Sequence, residues 1–302
     1  MNELAAILLA ARRAWASKET PVLATIVATR GSSYRKPGAR MLVTSAGWQA
    51  GSISGGCLEA DLVRKASWLV SQGVPTLKTY DTSVDGEVAL GCGGEVDVFV
   101  EPFLEASRTT AALIEVVERR RSASLELALP DGRRWTQALS PSPRLIIGGA
   151  GHDALPVCTM AQTLGWDVHV VDWRQNVLGG FPGATTHLLS SERFEALPFE
   201  AGCAVVVMSH HLLYDTRFVE ACLRSELPRY VGLLGPKKRA AEVLEAIPAR
   251  LSRERLHAPV GLALGGEGPA AVALSILSEV HAVLHAAPAI PLARLHPDTP
   301  RP

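Results

Sequence analysis

The chain has 302 residues, 47% of them hydrophobic, which is enough for one large domain or two ordinary ones with real cores. Its 30 lysines and arginines balance 30 aspartates and glutamates, which argues against an extended nucleic-acid surface, and no apolar run approaches the ~20 residues of a membrane span. Five cysteines, an odd number without disulfide-framework spacing, point to reduced thiols and a cytoplasmic protein.

In chain order, residues 2–16 read as an amphipathic helix and not a signal peptide, because the charges follow the apolar run. "PVLATIVATR" (21–30) and "ARMLVTSAG" (39–47) read as short β-branched strands. Residues 58–72 read as a helix, and "EVDVFVEPF" (95–103) alternates like a half-buried strand. A helix over 106–121 leads to a hairpin at 125–139 that turns on Asp131-Gly132. "SPSP" (140–143) is the best domain boundary. Beyond it, strand and helix alternate: strands in "RLIIGGAG", "WDVHVVDWR", "CAVVVMS" and "RYVGLLG", and helices to about 164, in "DTRFVEACLRSE", in "PKKRAAEVLEAI" and in "PAAVALSILSEVHAVLHA". The near-continuous apolar strands suit a parallel sheet covered on both faces. The expectation is therefore an α/β protein, with an N-terminal α+β domain at 1–105, a connecting helix and hairpin at 106–142, a Rossmann-like parallel-sheet domain at 143–285, and a proline-rich tail at 286–302.

"IIGGAGHDALP" has the form G-x-G-x-x-A at Gly149, Gly151 and Ala154, between a strand and a helix, and Asp172 ends the next strand. This is a dinucleotide-binding arrangement. The glycines allow a tight turn and close phosphate approach, the helix N-terminus offers N–H groups, and the acid accepts from a ribose hydroxyl. The other reading is a turn that only packs. Pro156 requires the helix to start late.

Two cysteines sit among glycines. Gly55 and Gly56 precede Cys57, at the start of a helix whose dipole favours thiolate; Cys92 lies between Gly91 and Gly93. If the two loops meet, they offer two soft sulfur ligands; the alternative is buried free thiols at tight turns. A zinc pair lacks the C-x-x-C spacing and a nearby histidine. Cys158, Cys203 and Cys222 fall within apolar elements and read as core. In "TRGSSYRKPGARML" (29–42), Ser32 and its neighbours offer N–H and hydroxyl donors, and Arg35, Lys36 and Arg40 face an anion, unless the stretch is an exposed basic hairpin. His152 either reaches a ligand phosphate or bonds to nearby backbone. One of His210 and His211, at a strand end, faces a ligand.

Together, "GSSYRKPGARMLV", "GSISGGCLE", "LGCGGEVDV", "LIIGGAGHDALPVCTMAQTLGWDVHVVDWR", "YVGLLGPKKRA" and "APVGLALGGEGPAAVALSILSEV" resemble the XdhC/CoxI family over most of the chain. These are accessory proteins of xanthine dehydrogenase and related molybdenum hydroxylases. The resemblance implies a chaperone that binds the molybdenum cofactor (molybdopterin) and need not itself catalyse anything. It would hold the cofactor while a partner cysteine desulfurase installs a sulfido ligand, then deliver it to a xanthine dehydrogenase-type hydroxylase; a homodimer is implied. It places Gly55, Gly56, Cys57, Glu59, Cys92 and Gly93 at the cofactor, with Cys57 and Cys92 as contacts to molybdenum or its sulfido group, and it matches His152 and His210. Where the family shows Thr-His-Asp, this chain has Ser209-His210-His211, with Asp215 following; Ala263 and Glu267-Gly268 also depart from the family pattern. The alternative is a nucleotide-dependent oxidoreductase that uses the Rossmann turn and a reactive cysteine.

Overall fold

The structure is a computed structural model and describes residues 2–69, 73–81 and 94–294. The chain divides into two compact units, Met1–Pro141 and Ser142–Pro302.

The first unit opens with α1 (Glu3–Ala16), capped by Asn2, whose side chain accepts from the Ala5 N–H at 2.7 Å. Next come β1 (Val22–Gly31), β2 (Arg40–Thr44), β3 (Gly47–Gly51), α2 (Cys57–Leu69), β4 (Thr76–Asp81) and β5 (Gly94–Pro102). The strands form an antiparallel sheet in the order β3-β2-β1-β5-β4. Side-chain alternation sorts β1 between two layers. Val22, Ala24 and Ile26 pack with Leu58 and Leu62 of α2, while Leu23 and Val27 pack with Ile7 and Ala11 of α1. Two strands, β3 and β4, lack the apolar run that a sequence reading looks for. The first is "GWQAG", and of the second only Tyr80 is buried.

Residues 106–141, nearly all of the segment expected as a connector, fall within the first unit and contribute to its core. They form α3 (Arg108–Val117) and the hairpin β6 (Ala123–Ala128) and β7 (Arg134–Leu139). Leu113, Val116, Leu125 and Leu139 join Ile7, Leu23 and Phe103 in one cluster. At roughly 1.5–3 kcal/mol per fully buried aliphatic side chain, these residues hold the layer as firmly as the strands do.

The second unit runs β8 (Arg144–Gly148), α4 (Ala154–Thr163), β9 (Asp167–Asp172), α5 (Gln175–Leu178), β10 (Thr185–Leu188), β11 (Ala204–Val207), α6 (Leu212–Arg224), β12 (Tyr230–Leu233), α7 (Lys237–Ala246), β13 (Leu256–His257) and α8 (Pro269–Leu284). Its six strands are all parallel, in the order β10-β9-β8-β11-β12-β13. Leu145, Ile147, Val168, Val170, Ala204 and Val206 face α4 and α8, and Ile146, Val171, Val205 and Val207 face α6 and α7. This is a Rossmann-like doubly wound sheet. Strand order reverses between β8 and β11, and there the strand ends open a crevice suited to ligands. Pro156 is the third residue of α4, where its missing N–H has no intrahelical partner to lose.

Candidate functional site

The loop that carries Gly55 and Gly56 runs from the end of β3 into α2, and Glu59 organises it from inside. The Glu59 carboxylate accepts from the Ile53 N–H at 3.0 Å, the Ser54 N–H at 2.6 Å, the Gly56 N–H at 3.0 Å and the Ser52 hydroxyl at 2.9 Å, and also from the Ser54 hydroxyl. Ser54 in turn accepts from the Leu58 N–H at 3.1 Å, which caps the helix start. Half-burial alone would raise the Glu59 pKa; the bonds from Ser54 and Ser52 outweigh it and hold the group below the ordinary carboxylate value. The N–H groups of Ile53, Ser54 and Gly56 are therefore turned inward onto the chain's own acid. Its outer side is bare of the described residues: a Cβ added at Gly55 or Gly56 would meet none of them within 4 Å, although Gly56 needs its positive φ of 123°. Cys57 is the first residue of α2.

The bare side faces a cavity of about 790 Å³ lined by Trp48, Gly51, Ser52, Ala60, Val63 and Arg64 among others. Trp48 is 58% exposed, and its indole N–H donates to the Gly51 carbonyl at 2.7 Å. Neither Trp48 nor Arg64 belongs to a motif that sequence reasoning singles out. The available signal is an aromatic ring in an otherwise polar, glycine-flanked strand.

The basic residues of the preceding stretch are not gathered at this loop. Arg40 is 1% exposed. Its guanidinium donates to the Gly38 carbonyl at 2.9 Å and to Gln137 Oε1 at 2.7 Å, and its Nε has no partner. Burial pulls the Arg40 pKa down to about 10, against Glu101 and Glu3. Burial likewise pushes Glu101 up to about 7, against the Thr109 hydroxyl and Arg40. An anion-facing Arg40 is thus corrected to a core residue. Arg35 is spent on Glu3 of α1, donating to its two oxygens at 2.7 and 2.9 Å. Ser32 is exposed just after β1. Cys92 and Gly93 lie outside the described residues.

In the second unit, Gly149 has a φ of 114°, and a Cβ there would stand 2.5 and 2.6 Å from the Ser209 Cα and N. The turn after β8 therefore packs directly on the end of β11. Asp172, expected to meet a ribose, is completely buried and fully engaged. It accepts from the Ala150 N–H at 2.7 Å, the Arg174 N–H at 2.8 Å, and the Arg174 guanidinium at 2.9 and 3.0 Å. Burial opposes its ionisation, but Arg174 and the Ala150 N–H prevail and hold its pKa below the ordinary value. The ribose role is corrected accordingly: this acid clamps the glycine turn.

At the switch point, Gly151 and exposed His152 lead to Asp153 at the N-cap of α4. The Asp153 carboxylate makes no cap bond and meets His210 Nε2 at 2.6 Å. His210 carries a φ of 59°, rare for a side-chain-bearing residue. His211 instead caps α6, its Nδ1 accepting from the Tyr214 N–H at 3.2 Å. Asp215 is buried, accepting from the Ser209 hydroxyl at 2.5 Å and the Arg239 guanidinium at 2.6 Å. Cys158, Cys203 and Cys222 lie in the core. Burial pushes the Cys158 thiol up to about 11 and also raises the other two. Among the described residues, no cluster of three or more His, Cys, Asp or Glu side chains is arranged to hold a metal ion, and no helix is long and apolar enough to cross a membrane.

Comparison with known proteins places these features in one lineage. Residues 14–81 match the family described as XdhC and CoxI, and residues 145–280 match the XdhC Rossmann domain. A Bacillus subtilis protein named as a probable xanthine dehydrogenase component is 30% identical, the alignment covering 87% of this chain and 93% of that protein. The molybdenum cofactor insertion chaperone PaoD of Escherichia coli is 27% identical over 92% of this chain and 87% of its own length. A crystal structure described as a xanthine dehydrogenase from Bacillus halodurans superposes with a TM-score of 0.82 at 27% identity, covering 99% of this chain and 98% of that one. The chain belongs to the XdhC and CoxI family.

Proposed function

We propose that this protein is a maturation chaperone for a molybdenum hydroxylase. It takes the molybdenum cofactor as cargo, holds it while a cysteine desulfurase supplies a sulfido ligand, and passes it to a xanthine dehydrogenase-type apoenzyme in the cytoplasm. The observation that carries this reading is the loop at Gly55 and Gly56. It is braced from behind by Glu59 and bare in front, facing a cavity of about 790 Å³, within the ~300–1,000 Å³ usual for small-molecule sites. Among the described residues nothing crowds position 55, and a glycine there suits a ligand lying close against the backbone. Cys57 at the helix start supplies the soft ligand for molybdenum or its sulfido group, with Cys92 as its partner. The chemistry belongs to the cofactor and the desulfurase; the chain supplies a shaped, thiol-bearing cradle. The likeness to a protein named as a molybdenum cofactor insertion chaperone supports the same reading.

The oxidoreductase alternative needs an acid free for the ribose and an open helix N-terminus for the pyrophosphate. Asp172 is spent on Ala150 and Arg174, so we set that alternative aside.

The test is anaerobic incubation of the purified chain with molybdenum cofactor, followed by desalting and assay of retained molybdenum and pterin. Near-stoichiometric retention by the wild type is expected, lost in Cys57→Ala and reduced in Cys92→Ala, with unchanged circular dichroism. If the folded wild type retains nothing and binds a nicotinamide or flavin nucleotide tightly, the chaperone reading falls.

A further inference from the structure

Resting on the reading above, we infer that Trp48 and Arg64 form the recognition pair of the cavity, with Trp48 stacking the cofactor's planar heterocycle and Arg64 meeting its phosphate. Three observations lead to this. The first is the state of Trp48. It lies on β3, beside the loop and not in either core layer, and remains 58% exposed. Its only polar atom is already satisfied by the Gly51 carbonyl at 2.7 Å. That bond fixes the ring and leaves its faces as what it can offer a ligand. A planar π-system with heteroatoms is the natural occupant of such a face.

The second is the loop itself. In many sites the helix-start amides bind phosphate. Here the amides of Ile53, Ser54 and Gly56 are taken by Glu59, and the hydroxyls of Ser52 and Ser54 donate to that same carboxylate. Three of the loop's amides are therefore already engaged, which leaves a side chain to supply the positive charge that an anionic group in the cavity calls for.

The third is Arg64, the one cation among the described residues lining the cavity. Its side chain is 75% exposed, and its contact with Asp61 is long at 3.3 Å. Asp61 does not depend on it, being also held by Lys65 at 2.8 Å and by the Tyr80 hydroxyl at 3.1 Å. Arg64 can turn to a phosphate without stranding a buried charge, and its planar fork suits phosphate oxygens. The site thus selects a flat nitrogen heterocycle with a phosphate at one end.

The experiment measures the affinity of the full chain for molybdenum cofactor, and separately for the same cofactor dephosphorylated, by equilibrium dialysis under anaerobic conditions. Trp48→Phe and Trp48→Ala both lose the bond to Gly51, so the difference between them reports the ring. Trp48→Ala is expected to weaken both ligands about fivefold or more, the lower end of what stacking a base on an aromatic ring provides, while Trp48→Phe stays within about threefold of wild type. Arg64→Gln should weaken the phosphorylated form about tenfold, abolish its salt dependence and leave the dephosphorylated form unchanged. Wild-type affinity in Trp48→Ala overturns the stacking role while the chaperone reading stands. Equal loss of both ligands in Arg64→Gln overturns the phosphate contact. Absence of binding by wild type overturns the chaperone reading and this inference with it.

Discussion

On the proposed function, two glycines in this chain are kept for opposite reasons, and exchanging each for alanine separates them. At Gly149 the added methyl must adopt a φ of 114° and stand 2.5 Å from the Ser209 Cα. The left-handed backbone costs about 1–2 kcal/mol and the forced displacement of β11's end about 1–3 kcal/mol, so Gly149→Ala should lose about 2–5 kcal/mol. For a unit of this size that is a fall in Tm of roughly 5–20 °C. At Gly55 the methyl meets nothing within 4 Å and the backbone is not left-handed. Gly55→Ala should therefore change stability by no more than about 0.5 kcal/mol, or gain slightly by stiffening the unfolded chain. It should nevertheless lose cofactor, because the methyl stands in the space that faces the cavity. Differential scanning calorimetry and the desalting assay, run on both variants, give the answer. A Gly55→Ala chain destabilised as much as Gly149→Ala, or one that retains cofactor like wild type, would refute the argument that this glycine is kept for a ligand.

Three further outcomes are expected. Glu101 has a folded pKa near 7 against an ordinary 4.5, so the folded state holds its proton more tightly than the unfolded chain. Stability should fall as pH rises from about 4.5 to 7, by at most ~3 kcal/mol, and Glu101→Gln should flatten that slope between urea midpoints at pH 5 and 8. Glu59→Gln should cost about 1–3 kcal/mol and speed hydrogen exchange at Ile53, Ser54 and Gly56. Because the Glu59 pKa is held below its ordinary value, its contribution is present above the unfolded pKa and lost as pH falls through the folded one; the variant should lack that acid limb. Asp172→Asn should destabilise the second unit by about 3–5 kcal/mol, as breaking a buried pair does. A loss below about 1 kcal/mol accompanied by lost nucleotide binding would return the ribose role to Asp172.

Much of the second unit is legible in the sequence because its cause is local. Residues 145–148 and 204–207 are apolar on both faces, and 168–171 are so but for His169, the mark of a strand covered twice, and Gly149 announces the turn. What is not legible depends on partners far along the chain. Asp172 looks like a ribose acid in any strand that follows such a turn; only the fold brings Ala150 and Arg174 onto its oxygens. Arg40 belongs by spacing to a basic hairpin, yet its partner Gln137 lies 97 residues on. Glycine and glutamine carry no strand signal, so β3 is hidden, and Trp48 with it. The glycines and Cys57 of the candidate loop are visible. The role of Glu59 is not: the resemblance places it at the cofactor, whereas its carboxylate holds the N–H groups of Ile53, Ser54 and Gly56 from inside the loop.

The burial of Cys158, Cys203 and Cys222 bears on how sulfur moves through this protein. With its thiol pKa near 11, only about one Cys158 in a few thousand is thiolate at pH ~7.5, and the other two are also raised. A chaperone working beside a persulfide donor is exposed to stray sulfur transfer at every nucleophilic cysteine it carries. Burial withholds the three cysteines of the Rossmann-like unit, so under the proposed function sulfur transfer would fall to the other two of the five cysteines, at positions 57 and 92. A chain with both changed to serine should therefore be silent to persulfide and to maleimide for as long as it stays folded.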